Sequence, residues 1–433
     1  MNVSKNKYYG IMLSIIDIAI FYICLILIVK VRFSVNATLD IFWLHLITFS
    51  PLILLNVFLL FVNNLYETTF RPKDDQLLIL LGRIQLFMLF FGIFYFYVAP
   101  LGITPKTNLV LFWISSSFFV YLVHNYINKH IVLEKTNVLF LHQNNHSELL
   151  KEKINNDTKY GIKIFFYPTT ADCKYLNEFL NQNNIKKIIF WDSQSLKNEI
   201  FKMSPKNIKF QSFEDFHEQT FKTIFVDAIN LDCFIASLSS NKWSANNVAF
   251  RFFDIILASF FLILSAPFWI FIILLIKITS PGPVFYLSTR YGKIGKKIVL
   301  YKFRTMQKDA RNQGPAWTLP KDSRITTLGK FLRKFHIDEW PQFVNIIKGD
   351  ISFVGPRPEE YELAQMFEKE VPFYTLRSIV TPGLTGWAQI NMPNTHSVDE
   401  AKEKLKFDLF YIKNCSIWLN FYIIIKTLRI PFV

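Results

Sequence analysis

Cysteine is scarce in this chain, with only four in 433 residues. These four are scattered and share no CxxC spacing: Cys24, Cys173, Cys233 and Cys415. Neither a disulfide framework nor a zinc site can be read from such spacing. The cysteine usage therefore fits a reducing compartment.

Acidic residues are also in short supply, because 33 Asp and Glu face 48 Lys and Arg and leave a formal net charge of +15. Such an excess suits nucleic acid, anionic lipid headgroups or phosphorylated substrates. The 51% hydrophobic and 17% aromatic content point away from an ordinary soluble enzyme and towards a bilayer. We therefore expect membrane lipids and a phosphorylated substrate as partners, and no nucleic acid.

Long apolar runs, by contrast, are abundant near the start of the chain. Each of four runs provides roughly the twenty residues that a helix needs to cross the hydrocarbon of a membrane, and they cover residues 10–30, 41–63, 77–99 and 108–126. The first run lacks a small-residue cleavage site and three more follow it, so we do not expect a removed signal peptide. The sequence predicts a four-helix transmembrane domain over residues 1–130, with both of its ends in the cytoplasm.

Two ionisable residues fall inside these spans. Asp17 lies in the first and Arg83 in the third, and an unpaired charge at such a position costs at least a few kcal/mol. Both residues lie at a similar depth if the two spans run in the same direction. We predict that they form an ion pair; the alternative is that each side chain reaches the interface independently.

Residues 131–240 have the pattern of a small α/β domain. Short β-like runs at 137–141, 163–167, 186–191 and 222–226 alternate with polar stretches of helix length. A dinucleotide-binding domain would carry GxGxxG after its first strand, but the segment here is LFLHQNNHSELL, without glycine. We therefore predict a degenerate Rossmann-like domain with a structural or regulatory role, and leave open whether it binds any ligand.

A fifth apolar run covers about residues 252–278 and contains Pro267. Proline removes a helix hydrogen bond, and basic residues flank the run on both sides, which favours both ends in the cytoplasm. We predict a re-entrant membrane helix that breaks at Pro267. A fifth crossing helix is the alternative.

Four motifs in the second half occur in a specific order. They are RFFDIILASFFLILSAP at 251–267, YKFRTM at 301–306, LGKFLRKFHIDEWPQFVNIIKGDISFVGPRP at 328–358 and TPGLTGWAQIN at 381–391. Over about residues 251–430 the chain resembles the bacterial polyprenyl-phosphate sugar-phosphate transferases, the monotopic phosphoglycosyl transferases. The four leading spans and the α/β region resemble the long form of that family.

The resemblance implies a mainly α catalytic domain over residues 241–433, with interfacial amphipathic helices, on the cytoplasmic face of the bacterial inner membrane. It implies transfer of a sugar 1-phosphate from a UDP-sugar to undecaprenyl phosphate, with release of UMP, as the first membrane step of polysaccharide or glycan assembly. Downstream glycosyltransferases are then expected partners. A homodimer is left open, and the sequence does not identify the sugar.

Asp338 and Glu339 are neighbours within IDEWPQ. Adjacent carboxylates near a helix start suit phosphate chemistry, because one can attack phosphorus while another binds Mg²⁺; an acidic pair favoured by the helix dipole is the alternative. The resemblance implies that Asp338 is the nucleophile and that Glu339 is a metal ligand or a base. Either carboxylate is a candidate Mg²⁺ ligand.

Basic and loop residues complete the predicted site. Arginine can hold a phosphate through two hydrogen bonds, and prolines on both sides of Arg357 preset its direction. Trp387 and Gln389 could face the sugar or uracil, or could belong to a packed structural loop. The candidate substrate-binding residues are Lys302, Arg304, Arg333, Arg357, Trp387 and Gln389.

Two other functions remain open at this point. A membrane-bound nucleotide-sugar dehydratase or epimerase can also carry four spans before an α/β domain, but it needs the dinucleotide fingerprint that LFLHQNNHS lacks. A scaffold of glycan machinery without catalytic activity would not need both carboxylates and Arg357. The sequence therefore favours the transferase.

Overall fold

The structure is a computed structural model, and the residues it describes are 2–33, 38–67, 74–98, 106–130, 136–141, 145–156, 161–166, 175–191, 208–229, 231–238, 242–307, 310, 322–392 and 397–427. Most of them are helical. Contacts divide the chain into two compact units, Met1–Phe213 and Glu214–Val433. Five helices in the described residues are long and apolar enough to cross a membrane, as expected of a membrane protein.

The first unit begins with four long helices, which confirms the four apolar spans. They are α1 (Asn2–Phe33), α2 (Leu39–Val62), α3 (Asp74–Val98) and α4 (Lys106–His130). Large side chains fill the centre of the bundle, where Phe21, Phe49 and Phe112 are fully buried. Many other apolar side chains point outwards and are exposed, as expected of helices that face lipid.

The predicted pairing of Asp17 with Arg83 is wrong. Asp17 is fully buried and accepts hydrogen bonds from the hydroxyl of Tyr66, at 2.8 Å, and from Nε2 of His124, at 3.0 Å. The side chain of Arg83 is exposed on the outside of the bundle. Hydropathy predicted that Asp17 lies within a membrane span. It did not predict which helix face Asp17 occupies, or that Tyr66 in the loop after α2 is a partner.

A parallel sheet of four strands follows in the same unit. Its strands and helices are β1 (Thr136–Phe140), α5 (Asn145–Asn156), β2 (Ile162–Phe166), α6 (Leu176–Gln182), β3 (Lys187–Phe190) and β4 (Lys209–Ser212). The strand order is β2-β1-β3-β4. Three predicted strands are thereby confirmed, but the strand predicted at 222–226 is wrong, since that segment is a loop leading into a 3-10 turn at Val226–Ala228.

The second unit contains the motif-bearing half of the chain. Its helices are α7 (Phe213–Phe221), α8 (Leu231–Leu238), α9 (Lys242–Thr279), α10 (Thr327–Lys334), α11 (Gln342–Lys348), α12 (Tyr361–Glu370), α13 (Trp387–Asn391), α14 (Val398–Asn414) and α15 (Ile417–Thr427). An antiparallel hairpin joins β5 (Phe285–Tyr291) to β6 (Lys297–Phe303). A short parallel pair joins β7 (Ser352–Val354) to β8 (Gly383–Thr385).

Residues 214–238 belong to the second unit, although the sequence pattern assigned them to the α/β domain. Glu218 accepts a hydrogen bond from Lys413 of α14 at 2.7 Å. The amide of Ile224 donates to the carbonyl of Lys406 at 3.0 Å, and the indole of Trp387 donates to the carbonyl of Lys222 at 2.9 Å. This segment therefore extends the motif-bearing unit towards the N-terminus.

Helix α9 continues on both sides of Pro267, so the helix is not interrupted at the predicted break. The hydroxyl of Ser265 donates to the carbonyl of Leu262, and the indole of Trp269 donates to the same hydroxyl. These bonds add polar contacts next to the position where proline removes a backbone donor.

Both halves of α9 contact the second unit. In the first half, Arg251 donates to the carbonyls of Ile346 and Ile347, and Asp254 accepts from the amide of Phe353 at 3.0 Å. In the second half, a cluster of buried side chains joins the helix to β6 and α10: Ile272, Ile276, Phe303 and Leu332. The remaining face is strongly apolar and exposed.

Candidate functional site

The segment between α10 and α11 presents two carboxylates on one tight turn. Thr326 caps α10 by accepting a hydrogen bond from the amide of Gly329 at 2.9 Å. His336 then adopts a left-handed conformation, with φ of 54°, and ends the helical path. A 3-10 turn over Ile337–Glu339 follows, and Pro341 immediately precedes α11. These local features fix the backbone that carries Asp338 and Glu339.

Glu339 forms ion pairs with two cations. Its Oε1 accepts from Nζ of Lys302 at 2.7 Å and from Nη2 of Arg357 at 2.8 Å. Burial alone would raise the pKa of this carboxyl, but Arg357 and Lys302 outweigh that effect and hold the pKa well below its usual range. Glu339 is therefore ionised and held in place.

Asp338 has a different environment. Its side chain is buried, and no side chain in the described ranges donates a hydrogen bond to its carboxylate. Burial raises the pKa of Asp338, and the negative charge of Glu339 raises it further, whereas Lys302 and Arg333 oppose the shift. The pKa values of the two neighbouring carboxyls are thus shifted in opposite directions. Cations hold Glu339 in place, whereas the carboxylate of Asp338 is left for a reactant.

The positive charge around the two carboxylates comes from side chains on β5, β6 and α10. Lys302 lies on β6, and burial lowers its pKa. Arg333, on α10, donates from Nε to the hydroxyl of Thr305 at 2.8 Å, and its charge acts on Asp338. Arg290, on β5, donates to Ser288 and acts electrostatically on Lys302. The site is consequently rich in positive charge, as a diphosphate requires.

Arg357 reaches the site from the loop after β7. Its Nη1 also approaches the carbonyl of Leu384 at 3.4 Å, so the side chain lies between Glu339 and β8. This approach depends on close backbone contact, because a Cβ on Gly386 would stand 2.2 Å from the carbonyl oxygen of Gly355. Glycine is required there for lack of space.

The predicted residues thus fall into two groups. Asp338, Glu339, Lys302, Arg333 and Arg357 come together, and the amide of Gln389 donates to the same Leu384 carbonyl that Arg357 approaches.

The other two predicted substrate-binding residues have structural contacts. Arg304 is buried and donates to the carbonyls of Ser280 and Pro281, at the end of α9. Trp387 packs against Phe410 in the core. Both residues thus make structural contacts, and their substrate roles stay predictions. Basic or aromatic character within a motif did not reveal which way each side chain points.

Sequence reasoning did not select two further arginines. Arg290 lies within a basic stretch, and its position on the β5 hairpin strand could have distinguished it from its exposed lysine neighbours. Arg377 is buried next to the Arg357 segment, and an isolated arginine in an otherwise apolar stretch was the available signal.

The donor set can be tested against Mg²⁺, which is usually held by one or two carboxylates together with substrate phosphates and water. No group of three or more His, Cys, Asp or Glu that could hold a metal occurs within the described residues. Glu339 meets both cations through Oε1, which leaves its Oε2 and the Asp338 carboxylate as protein ligands. These two groups fit an ion that is also bound by a diphosphate.

The second unit matches known proteins. The model of the family described as bacterial sugar transferase matches residues 245–433. A UDP-N-acetylgalactosamine-undecaprenyl-phosphate N-acetylgalactosaminephosphotransferase of Aeromonas hydrophila is 42% identical over 179 residues, which are 41% of this chain and 42% of that protein. A UDP-glucose:undecaprenyl-phosphate glucose-1-phosphate transferase of Escherichia coli is 38% identical over 190 residues, 43% of this chain and 41% of that protein.

A shorter relative is matched over most of its length. The exopolysaccharide production protein PSS of Rhizobium leguminosarum is 40% identical over 183 residues, which are 41% of this chain and 92% of that protein. The match thus spans less than half of the two longer relatives and nearly all of the shorter one.

Proposed function

Because the chain belongs to the bacterial sugar transferase family, we propose that it transfers a sugar 1-phosphate from a UDP-sugar to undecaprenyl phosphate and releases UMP. The observation that carries this proposal is the pair Asp338 and Glu339, with Glu339 bound by Lys302 and Arg357. Two relatives are named as undecaprenyl-phosphate sugar phosphotransferases, one for N-acetylgalactosamine and one for glucose. The donor sugar of this chain is left open.

In the proposed first step, an oxygen of Asp338 attacks the sugar-bearing phosphorus of the donor. A bond forms between that oxygen and phosphorus, the bond from phosphorus to the UMP oxygen breaks, and UMP leaves. In the second step, a phosphate oxygen of undecaprenyl phosphate attacks the same phosphorus and Asp338 leaves as a carboxylate. The absence of a hydrogen-bond donor to Asp338 among the described side chains supports this role, because the carboxylate is free to attack.

The surrounding residues have distinct roles in this proposal. Lys302 and Arg357 hold Glu339 and lie where they can neutralise the diphosphate, and Arg333 keeps Asp338 more readily ionised. Mg²⁺, held by Asp338 and Glu339 together with the diphosphate, would neutralise charge on the leaving group. Chelation of divalent ions should then stop turnover.

We also propose that α9 enters and leaves the membrane on the cytoplasmic side. An α-helix rises about 37 Å from Arg251 to Ile276 at 1.5 Å per residue, which exceeds the ~30 Å of hydrocarbon. If α9 crossed the membrane, these two residues would therefore lie on opposite sides of it. Both of these residues nevertheless contact the same unit, and Asp254 and Arg304 add polar contacts near the two ends. A crossing helix would draw these polar groups of the unit into lipid. Placement at the cytoplasmic face also gives the site access to UDP-sugar.

Cysteine labelling tests this topology. Cysteines introduced at Lys242 and Lys296 in intact cells should both resist an impermeant reagent and should both react after the membrane is opened. An introduced cysteine that reacts from outside at only one of the two positions would show that the helix crosses.

Release of UMP tests the reaction. The full chain, purified and supplied with undecaprenyl phosphate, Mg²⁺ and a panel of UDP-sugars, should release UMP from at least one of them. Asp338→Asn should abolish release because an amide cannot form the acyl phosphate, whereas Glu362→Gln, which changes an exposed carboxyl on α12, should not. Without lipid acceptor, intact-mass measurement should find sugar phosphate on the wild type and none on Asp338→Asn. Normal turnover by Asp338→Asn would contradict the mechanism.

A further inference from the structure

A buried network of ionic groups lies beneath the loop that carries Arg357. Arg377 is 7% exposed and Asp408 is 1% exposed, and Nη2 of Arg377 lies 2.9 Å from Oδ2 of Asp408. Nη1 of Arg377 donates to the hydroxyl of Tyr374 at 2.6 Å and lies 3.7 Å from Oε1 of Glu359. Lys404, one turn before Asp408 on α14, forms an ion pair with Glu359.

One hydrogen bond links this network to the proposed active site. Nη2 of Arg377 donates to the backbone carbonyl of Arg357 at 2.9 Å. The carboxylate of Glu359, two residues further along, is held by Lys404. The loop is therefore held at the carbonyl of Arg357 and again two residues later, at Glu359.

The neighbouring prolines restrict the backbone around Arg357 but leave the ψ angle of Pro356 and the φ angle of Arg357 for this bond to restrain. Pro356 and Pro358 fix their own φ angles, and a residue before proline is restricted to extended conformations. The carbonyl of Arg357 still needs a partner once it is removed from water. Arg377 supplies that partner from a guanidinium that Asp408 and Tyr374 hold in place.

We propose that Arg377 is a positioning residue, which aims Arg357 at the carboxylate and diphosphate by holding its backbone carbonyl. The inference rests on the proposed function for the role of Arg357, but it requires only this chain's own contacts for the role of Arg377. Stability alone is a weak reason for such a network, because well-packed apolar side chains often replace buried ion pairs at no cost in folding free energy.

Arg377→Lys is the informative variant, because lysine keeps the positive charge near Asp408 and loses the planar fork that serves several acceptors at once. We expect kcat/KM for the UDP-sugar to fall on the order of 100-fold, the loss that a misplacement of about 1 Å can cause. Glu218→Gln is the matched control. It breaks the partly buried ion pair between Glu218 and Lys413, and Lys413 lies on α14, the helix that also carries Asp408. Glu218 makes no described contact with the Arg357 loop.

A double-variant comparison separates positioning from general stability. If Arg377 acts through Arg357, then Arg357→Gln combined with Arg377→Lys should be no slower than Arg357→Gln alone. Multiplicative losses in the double variant, or an activity of Arg377→Lys within about threefold of wild type, would overturn the proposal. The proposal would also be overturned if Arg377→Lys lowered activity and the thermal midpoint together, and only to the extent that Glu218→Gln does.

Hydrogen exchange supplies a readout that needs no turnover. Arg377→Lys should accelerate amide exchange at residues 355–359 and leave residues 327–334 of α10 unchanged. If the wild type releases UMP from none of the UDP-sugars, the proposed function fails and the exchange pattern alone decides the positioning role. Unchanged exchange at residues 355–359 would overturn that role in either case.

Discussion

At the scale of single residues, the site separates two chemically similar side chains by their surroundings. Asp338 and Glu339 are adjacent, yet burial and a like charge raise the pKa of the first, and two cations lower that of the second. Groups whose pKa values are driven apart in this way can take different roles in one reaction. This difference supports the proposal that Asp338 attacks phosphorus and that Glu339 organises the surrounding charge.

The acid side of the pH profile should respond to Arg333. The positive charge of Arg333 lowers the pKa of Asp338, so Arg333→Gln should raise that pKa. Because the attacking carboxylate must be ionised, activity is lost as pH falls through this pKa, and the loss should begin at a higher pH in the variant. The measurement is kcat/KM for the UDP-sugar as a function of pH.

Lys330→Gln is a suitable control for this experiment, since it removes an exposed positive charge from the same helix α10. Its acid limb should coincide with that of the wild type. A parallel drop in activity at every pH in Arg333→Gln, with an unmoved acid limb, would show that Arg333 acts on substrate binding alone.

At the scale of elements, the sequence best predicted the helices that are defined by the length of an apolar run. The four spans and the α9 run were recognisable because lipid requires long apolar helices. β4 was missed because its four residues, KFQS, are short and largely polar, while the apolar residues at 222–226 pack as a loop against α14. A loop and a strand can bury the same side chains, so local pattern does not distinguish them.

The site shows the same division. The motifs themselves single out Asp338, Glu339 and Arg357, because the two carboxylates are adjacent and prolines stand on both sides of Arg357. The contacts of Arg304 could not be predicted because they involve the end of α9, more than twenty residues earlier in the chain. Direction of a side chain is a tertiary property, and sequence spacing does not encode it alone.

The polar contact inside the bundle should contribute to its stability. Asp17→Leu and His124→Leu should each lower the unfolding free energy by about 1 to 2 kcal/mol, since each leaves a buried polar partner unmatched. The double variant should recover part of this loss, because Asp17 and His124 are then both gone, although the Tyr66 hydroxyl still lacks its acceptor. Thermal unfolding in detergent provides the measurement.

Ser14→Ala serves as the control on α1, because Ser14 is only partly buried and its hydroxyl bonds within its own helix turn in the described contacts. Its thermal midpoint should match that of the wild type. Strictly additive losses for Asp17 and His124 would contradict the direct interaction.

At the scale of the whole molecule, the second unit begins before the stretch that matches the family model. Residues 214–238 precede the match at 245–433, yet they bond to α14 and to Trp387 of α13. We expect a chain that starts at 214 to unfold at a clearly higher temperature than one that starts at 242. Three lost hydrogen bonds correspond to about 3 kcal/mol, before any apolar contact is counted. Equal midpoints would contradict a structural role for the segment.

The bond between Glu218 and Lys413 joins residues that are 195 positions apart, and this separation sets an order of events during synthesis. At roughly 5 to 20 residues per second, a ribosome delivers Lys413 on the order of 10 to 40 seconds after Glu218. The membrane bundle is complete by then, and α9 has emerged while the partners of Arg251 and Asp254 in α11 and β7 are still unmade. The nascent chain must therefore hold an apolar helix with two unmatched charges at the membrane while the next 95 to 99 residues are made.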